Sequence, residues 1–204
     1  MVVAASICAC AVPPPRIAFG PVDSPVDSIE TEQYAVLSAL ISAKYVKEGI
    51  KIIVIRDRTI PLRPEMVAEF GQRLPEAPAE LLSDLEARNR ESHPLKLLFG
   101  LPLRYVLEPP PSMSAWTGED RNWNMVYPPH NVLRRPGFER GPRTYEGSQG
   151  TITVSMPGFA SDLNESMVYI ENDKSALDAE GLIVLLVRQQ GVWTIKNESL
   201  LWVS

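Results

Sequence analysis

An α+β fold is predicted for this chain, with N-terminal helices packed on a C-terminal antiparallel β-meander of about four strands. Three observations predict it. Apolar residues recur at helical spacing before about residue 90, and they alternate with polar residues after residue 150. The strand-like runs of the last third are also joined by short links, which favour antiparallel pairing. Helices first and sheet last is the order of an α+β domain.

The first helix is predicted over residues 29–48. Ser28 can cap it, Glu30 and Glu32 suit its first turn, and Tyr34, Leu37, Leu40, Ile41 and Tyr45 form its apolar stripe. Gly49 is placed to end it. The β-branched run Ile50–Thr59, "IKIIVIRDRT", then reads as a strand covered on both faces. Pro64 opens a second helix with Met66, Val67 and Phe70 inward. Pro75 and Pro78 interrupt the pattern, and a third helix carries Leu81, Leu82 and Leu85 to about Arg90. Residues 95–107 read as a broken strand bent at Gly100 and Pro102.

The periodicity weakens over about 109–144, an irregular insert with Trp116, Trp123, Tyr127 and Phe138 scattered among prolines, glycines and charges. The meander follows. "TITVSM" puts Ile152, Val154 and Met156 on one face and Thr151, Thr153 and Ser155 on the other, with Pro157-Gly158 ending the strand. "SMVYIE", "GLIVLLVR" and "VWTIKNESLLWVS" supply three more strands, and Arg188–Gly191 makes a tight hairpin. The doubly apolar "GLIVLLVR" is expected at the centre of the sheet. The acidic stretch Glu171–Gly181 reads as a solvated connection, and Trp193 and Trp202 as core.

The 204 residues, 45% hydrophobic, are enough for one domain over 28–204, preceded by a leader and proline-rich linker over 1–27. A net charge of −5 and a pI near 5.2 argue against a nucleic-acid surface spread over the fold. No apolar run reaches the length of a membrane span. The start, "MVVAASICACAVPPP", reads as the end of an export signal. Cys10 after small Ala9 resembles a lipoprotein processing box, which would give a lipid anchor; ordinary cleavage near Ala11 and a plain tail are the alternatives. Cys8 and Cys10 stand too close to pair without strain.

Few side chains suggest chemistry. His93 and His130 both sit beside prolines, and no Gly-x-Ser-x-Gly elbow presents a serine to either. Neither zinc-ligand spacing nor a calcium loop is present, and no glycine-rich phosphate cradle appears, so no metal and no cofactor is expected. Asp162 and Glu165 flank Asn164 and read as turn stabilisers. The candidate binding residues are Arg134, Arg135, Arg140 and Arg143, whose guanidinium groups suit a small anionic ligand or a protein partner, with Trp123 and Tyr145 as stacking surface. Pairing of these arginines with the protein's own carboxylates is the competing reading.

"YAVLSALI", "IIVIRDRT", "YEGSQGTITVSMPGF" and the closing "GVWTIKNESLLWVS" together resemble a family of uncharacterised exported bacterial proteins, over roughly Tyr34–Ser204 with the middle poorly matched. The resemblance implies a compartment and a layout of helix, strand, helices and meander, without a mechanism. Relatives carry a glycine-rich segment before the third meander strand, where this chain has "DKSALDAEG" and keeps only Gly181. The layout is also similar in style to the cone-shaped folds of the nuclear transport factor type. The expected function is an exported, non-catalytic binding or interaction module. Its alternatives are a small pocket hydrolase or isomerase using a carboxylate or His130, and an inhibitor or immunity-type partner presenting its acidic surface.

Overall fold

The computed structural model describes residues 16–18, 28–109, 145–175 and 177–204. The elements run β1 (Arg16–Ala18), α1 (Ser28–Tyr45), β2 (Ile52–Arg56), α2 (Pro64–Arg73), α3 (Ala79–Arg88), β3 (Arg104–Glu108), β4 (Thr151–Val154), β5 (Gly158–Phe159), β6 (Glu165–Ser175), β7 (Asp178–Gln189) and β8 (Val192–Val203). All eight strands join one sheet in the order β1-β3-β2-β4-β6-β7-β8, with β5 pairing β6. The α+β class and the antiparallel meander β4-β6-β7-β8 agree with the sequence reading. The sheet extends further, because β2 is inserted between β3 and β4 and runs parallel to both. Arg16–Ala18, which composition places in the linker, pairs antiparallel with β3.

Strand alternation divides the core in two. Ile53, Ile55, Ile152, Val154, Val168, Ile170, Val184 and Leu186 pack with Leu37, Leu40 and Ile41 of α1 on one face of the sheet. Met167, Tyr169, Ile183 and Leu185 pack with Val67, Phe70, Leu81 and Leu85 of α2 and α3 on the other. β2 is buried nearly throughout, as its unbroken apolar run requires.

Helix α1 is buried over more than one stripe: among its described residues only Thr31, Ala35 and Ala43 are exposed, one turn and then two turns apart. The reason lies in residues 95–103, which form no strand; the strand there is confined to Arg104–Glu108. This segment crosses α1, burying Leu95, Phe99 and Leu101. The helix satisfies its backbone: Lys96 N–H donates to the Tyr34 hydroxyl at 2.6 Å, and Gly100 N–H to Ser38 Oγ at 2.9 Å. Donors held by helix side chains cannot serve a ladder.

Two further expectations are corrected. "GLIVLLVR" lies inside the sheet, between β6 and β8, but second from its edge. Its apolar character on both faces follows from helices on both sides. The acidic stretch Glu171–Gly181 is mostly strand, because β6 continues to Ser175 and β7 restarts at Asp178. β8 is the exposed edge, and Lys196 and Leu201 stand outside its register with β7. Such bulges and the charges of Lys196 and Glu198 discourage edge-to-edge pairing.

Beyond β4 the chain is held by side chains that imitate a strand. Asn89, fully buried at the end of α3, donates from Nδ2 to the carbonyls of Leu85 (2.8 Å) and Met156 (2.9 Å), and its Oδ1 accepts from Met156 N–H (2.7 Å). Asn89→Ala orphans both backbone groups of Met156, and a loss of about 3 kcal/mol is expected in urea unfolding. A loss under about 1 kcal/mol would show that water replaces the amide.

Candidate functional site

The face of the sheet that carries α2 and α3 also carries a belt of polar side chains where the apolar cover ends. Alternation along β6 places Tyr169, Glu171 and Asp173 on this side, and Tyr169 stacks on Phe70 of α2 with ring centroids 5.6 Å apart. Register then sets their neighbours. Thr153 faces Glu171 and Thr151 faces Asp173 across β4 and β6, Val54 faces Thr151 across β2 and β4, and Arg56 faces Glu108 across β2 and β3.

The belt has two bonded centres. At one, Arg56 Nη1 donates to Glu108 Oε2 at 3.0 Å and to the Pro109 carbonyl at 3.3 Å, and Thr151 Oγ1 lies 3.5 Å from the same carboxylate oxygen. Glu108 is buried and Arg56 largely so, so the pair attracts through a low-dielectric interior. At the other, Trp202 Nε1 donates to the Tyr169 hydroxyl at 2.8 Å, which donates to Glu171 Oε1 at 2.6 Å. Gly181 permits this line: a Cβ there would collide with the Trp202 indole nitrogen.

Burial pushes the Glu171 carboxyl up to about 7, with Asp173 adding to the rise and the Tyr169 hydroxyl opposing it. Burial likewise raises Asp173, while Arg56 holds it down. Glu171 therefore exchanges a proton near neutral pH, as a general acid or base must.

The sequence-predicted sites fall elsewhere. Arg134, Arg135, Arg140, Arg143, Trp123, His130 and Cys10 lie outside the described residues. Tyr145 is half-buried against Ile52, Val54 and Val106, on the belt's side of the sheet. His93 Nε2 meets the Arg88 carbonyl at 3.1 Å, and the His93 backbone N–H donates to Thr59 Oγ1 at 2.9 Å. Asp162 accepts from the backbone and side-chain nitrogens of Asn164, as expected of a turn. Trp193 is core and donates to Glu32 at 3.1 Å, whereas half-buried Trp202 belongs to the belt.

Sequence reasoning missed Arg56, Glu108, Tyr169 and Glu171. The one signal available was a charge at the end of each of three apolar runs. Among the described residues, no group of three or more His, Cys, Asp or Glu is placed to hold a metal ion. No helix among them is long and apolar enough to cross a membrane. No family model, no curated protein and no solved structure matches the chain.

Proposed function

We propose that this chain is an exported binding or interaction module that performs no chemistry of its own. The observation that carries this reading is the inward pairing of its reactive groups. Glu171 is bonded to Tyr169 and Glu108 to Arg56, and the described layers on either side of the sheet are packed with apolar side chains. A substrate would have to displace those bonds at a desolvation cost. Export is supported by the leader-like start with Cys10. Fractionation of the epitope-tagged chain tests it: wild type is expected in the envelope, with Cys10→Ala released from the detergent phase if Cys10 carries lipid. A wholly cytosolic wild type ends the export reading. The ligand arm rests on the arginines. Weaker binding of inorganic phosphate or citrate by Arg134→Ala/Arg135→Ala is expected, and unchanged binding removes the anionic ligand.

One observation favours the second reading, a small pocket enzyme working through a carboxylate. Glu171 titrates near neutral pH beside a phenol that can pass a proton. Turnover of chromogenic ester or glycoside substrates that disappears in Glu171→Gln would replace the first reading with this one.

A further inference from the structure

The last turn of α1 meets the sheet over a cavity of about 10 Å³, lined by Tyr45, Ile53, Gln149, Gly150, Ile152 and Asn172. Tyr45 is 3% exposed and Asn172 is 1% exposed. The Tyr45 hydroxyl and both polar atoms of the Asn172 carboxamide lack hydrogen-bond partners among the described residues. A phenol offers one donor and an acceptor, and a carboxamide offers two donors and an acceptor. Groups buried this deeply carry their full desolvation penalty unless something bonds them. Both residues line the same cavity, and no hydrogen bond joins them.

The size and chemistry of the cavity select the occupant. A volume of about 10 Å³ admits one water-sized molecule. The polar atoms supply donors and acceptors on two sides, whereas a purely apolar cavity of this size would stay dry. Burial, and then Glu180 and Glu198, push the Tyr45 phenol well above its ordinary range, so it stays a hydroxyl and keeps its proton to donate. Gly150, at φ +105°, keeps the opposite wall open: a Cβ there would lie 2.8 Å from Asn172 Oδ1 and 2.6 Å from the Asp173 carbonyl.

We infer that this cavity is a binding site for a single ordered water, which bridges the Tyr45 hydroxyl of α1 to the Asn172 carboxamide of β6. The water links the end of α1 to the row where β4 and β6 pair, Ile152 facing Asn172. It gives the Tyr45 hydroxyl and one end of the Asn172 carboxamide, both deeply buried, a shared hydrogen-bond partner.

A high-resolution crystal structure of the full chain tests the site directly. Expected is one density peak within hydrogen-bond distance of both Tyr45 Oη and the Asn172 side chain. A direct Tyr45–Asn172 bond, or no peak, overturns the inference. A peak that gains anomalous signal when rubidium replaces sodium identifies a cation and also overturns it. Stability gives a second measurement through Tyr45→Phe, Asn172→Leu and the double variant. Each single variant is expected to lower the urea midpoint, and the double variant to lower it by less than the sum, because both side chains hold the same water. Additive shifts would show that the two groups share nothing.

Discussion

Between pH 4.5 and about 7 the wild-type protein is expected to lose about 3 kcal/mol of folding stability through Glu171. The direction follows from which state holds the proton. Burial favours the neutral carboxyl in the folded chain, whereas the unfolded chain releases its proton near the ordinary glutamate value. The folded state therefore binds more protons through this window, so raising the pH favours unfolding. The contribution is complete below pH 4.5 and lost above about 7. Asp173, also raised by burial, acts in the same direction. Glu76 and Asp162, held low by hydrogen bonds with Asn197 and Asn164, act oppositely but below this window.

Glu171→Gln should flatten that profile. The amide keeps an acceptor for the Tyr169 hydroxyl and is neutral at every pH, so the variant is expected to unfold roughly 5–10 °C higher than wild type above pH 7. Urea unfolding followed by tryptophan emission over a pH series checks it, since Trp202 bonds the same hydroxyl and reports the state of the belt. A variant with the wild-type slope would show that Glu171 is ionised in the fold.

The second large effect is expected at Gly158. A Cβ on this residue would lie 2.6–2.7 Å from the Cβ, Cα and N of Leu85, so the clash is with the backbone of α3 and no rotamer relieves it. Asp84, one residue earlier on the helix, also accepts from Phe159 N–H at 2.8 Å, which ties β5 to α3 at that point. Gly158→Ala must push the helix off the strand, at a cost of about 3 kcal/mol or more in urea unfolding. Gly100→Ala is the matched control: nothing lies within 4 Å of its Cβ, and no change is expected. Equal stability of the two variants would mean that α3 shifts freely.

Gly158 also shows how the sequence can be read correctly for the wrong reason. Pro157-Gly158 looks like a strand terminator, and β4 does end before it, at Val154. The glycine nevertheless starts β5, where Gly158 and Phe159 pair with Met167 and Ser166. Its missing side chain is needed by a helix some seventy residues earlier in the chain. Gly147 and Gly150, by contrast, are required locally, since both take positive φ in the segment leading to β4.

The belt was hidden for a related reason. Arg56, Glu108 and Glu171 each end an apolar run, and in one dimension such charges look like the first residues of a loop. Parallel insertion of β2 between β3 and β4 brings Glu108 beside Arg56 and Thr151 beside Val54. Those partners stand far apart in the chain, and no local pattern records their register.

What the sequence by itself determined was the existence and kind of the three helices and of β2, β4, β6, β7 and β8, because the 3.6 and 2.0 periods of apolar residues are local consequences of backbone geometry. It also determined the meander, since short links leave antiparallel pairing as the simple outcome. Tertiary structure alone decided which polar residues lost their water. A carboxyl in an alternating strand looks the same whether solvent or packed protein lies above it, and only packing turns Glu171 from a strand end into a group that titrates near neutral pH.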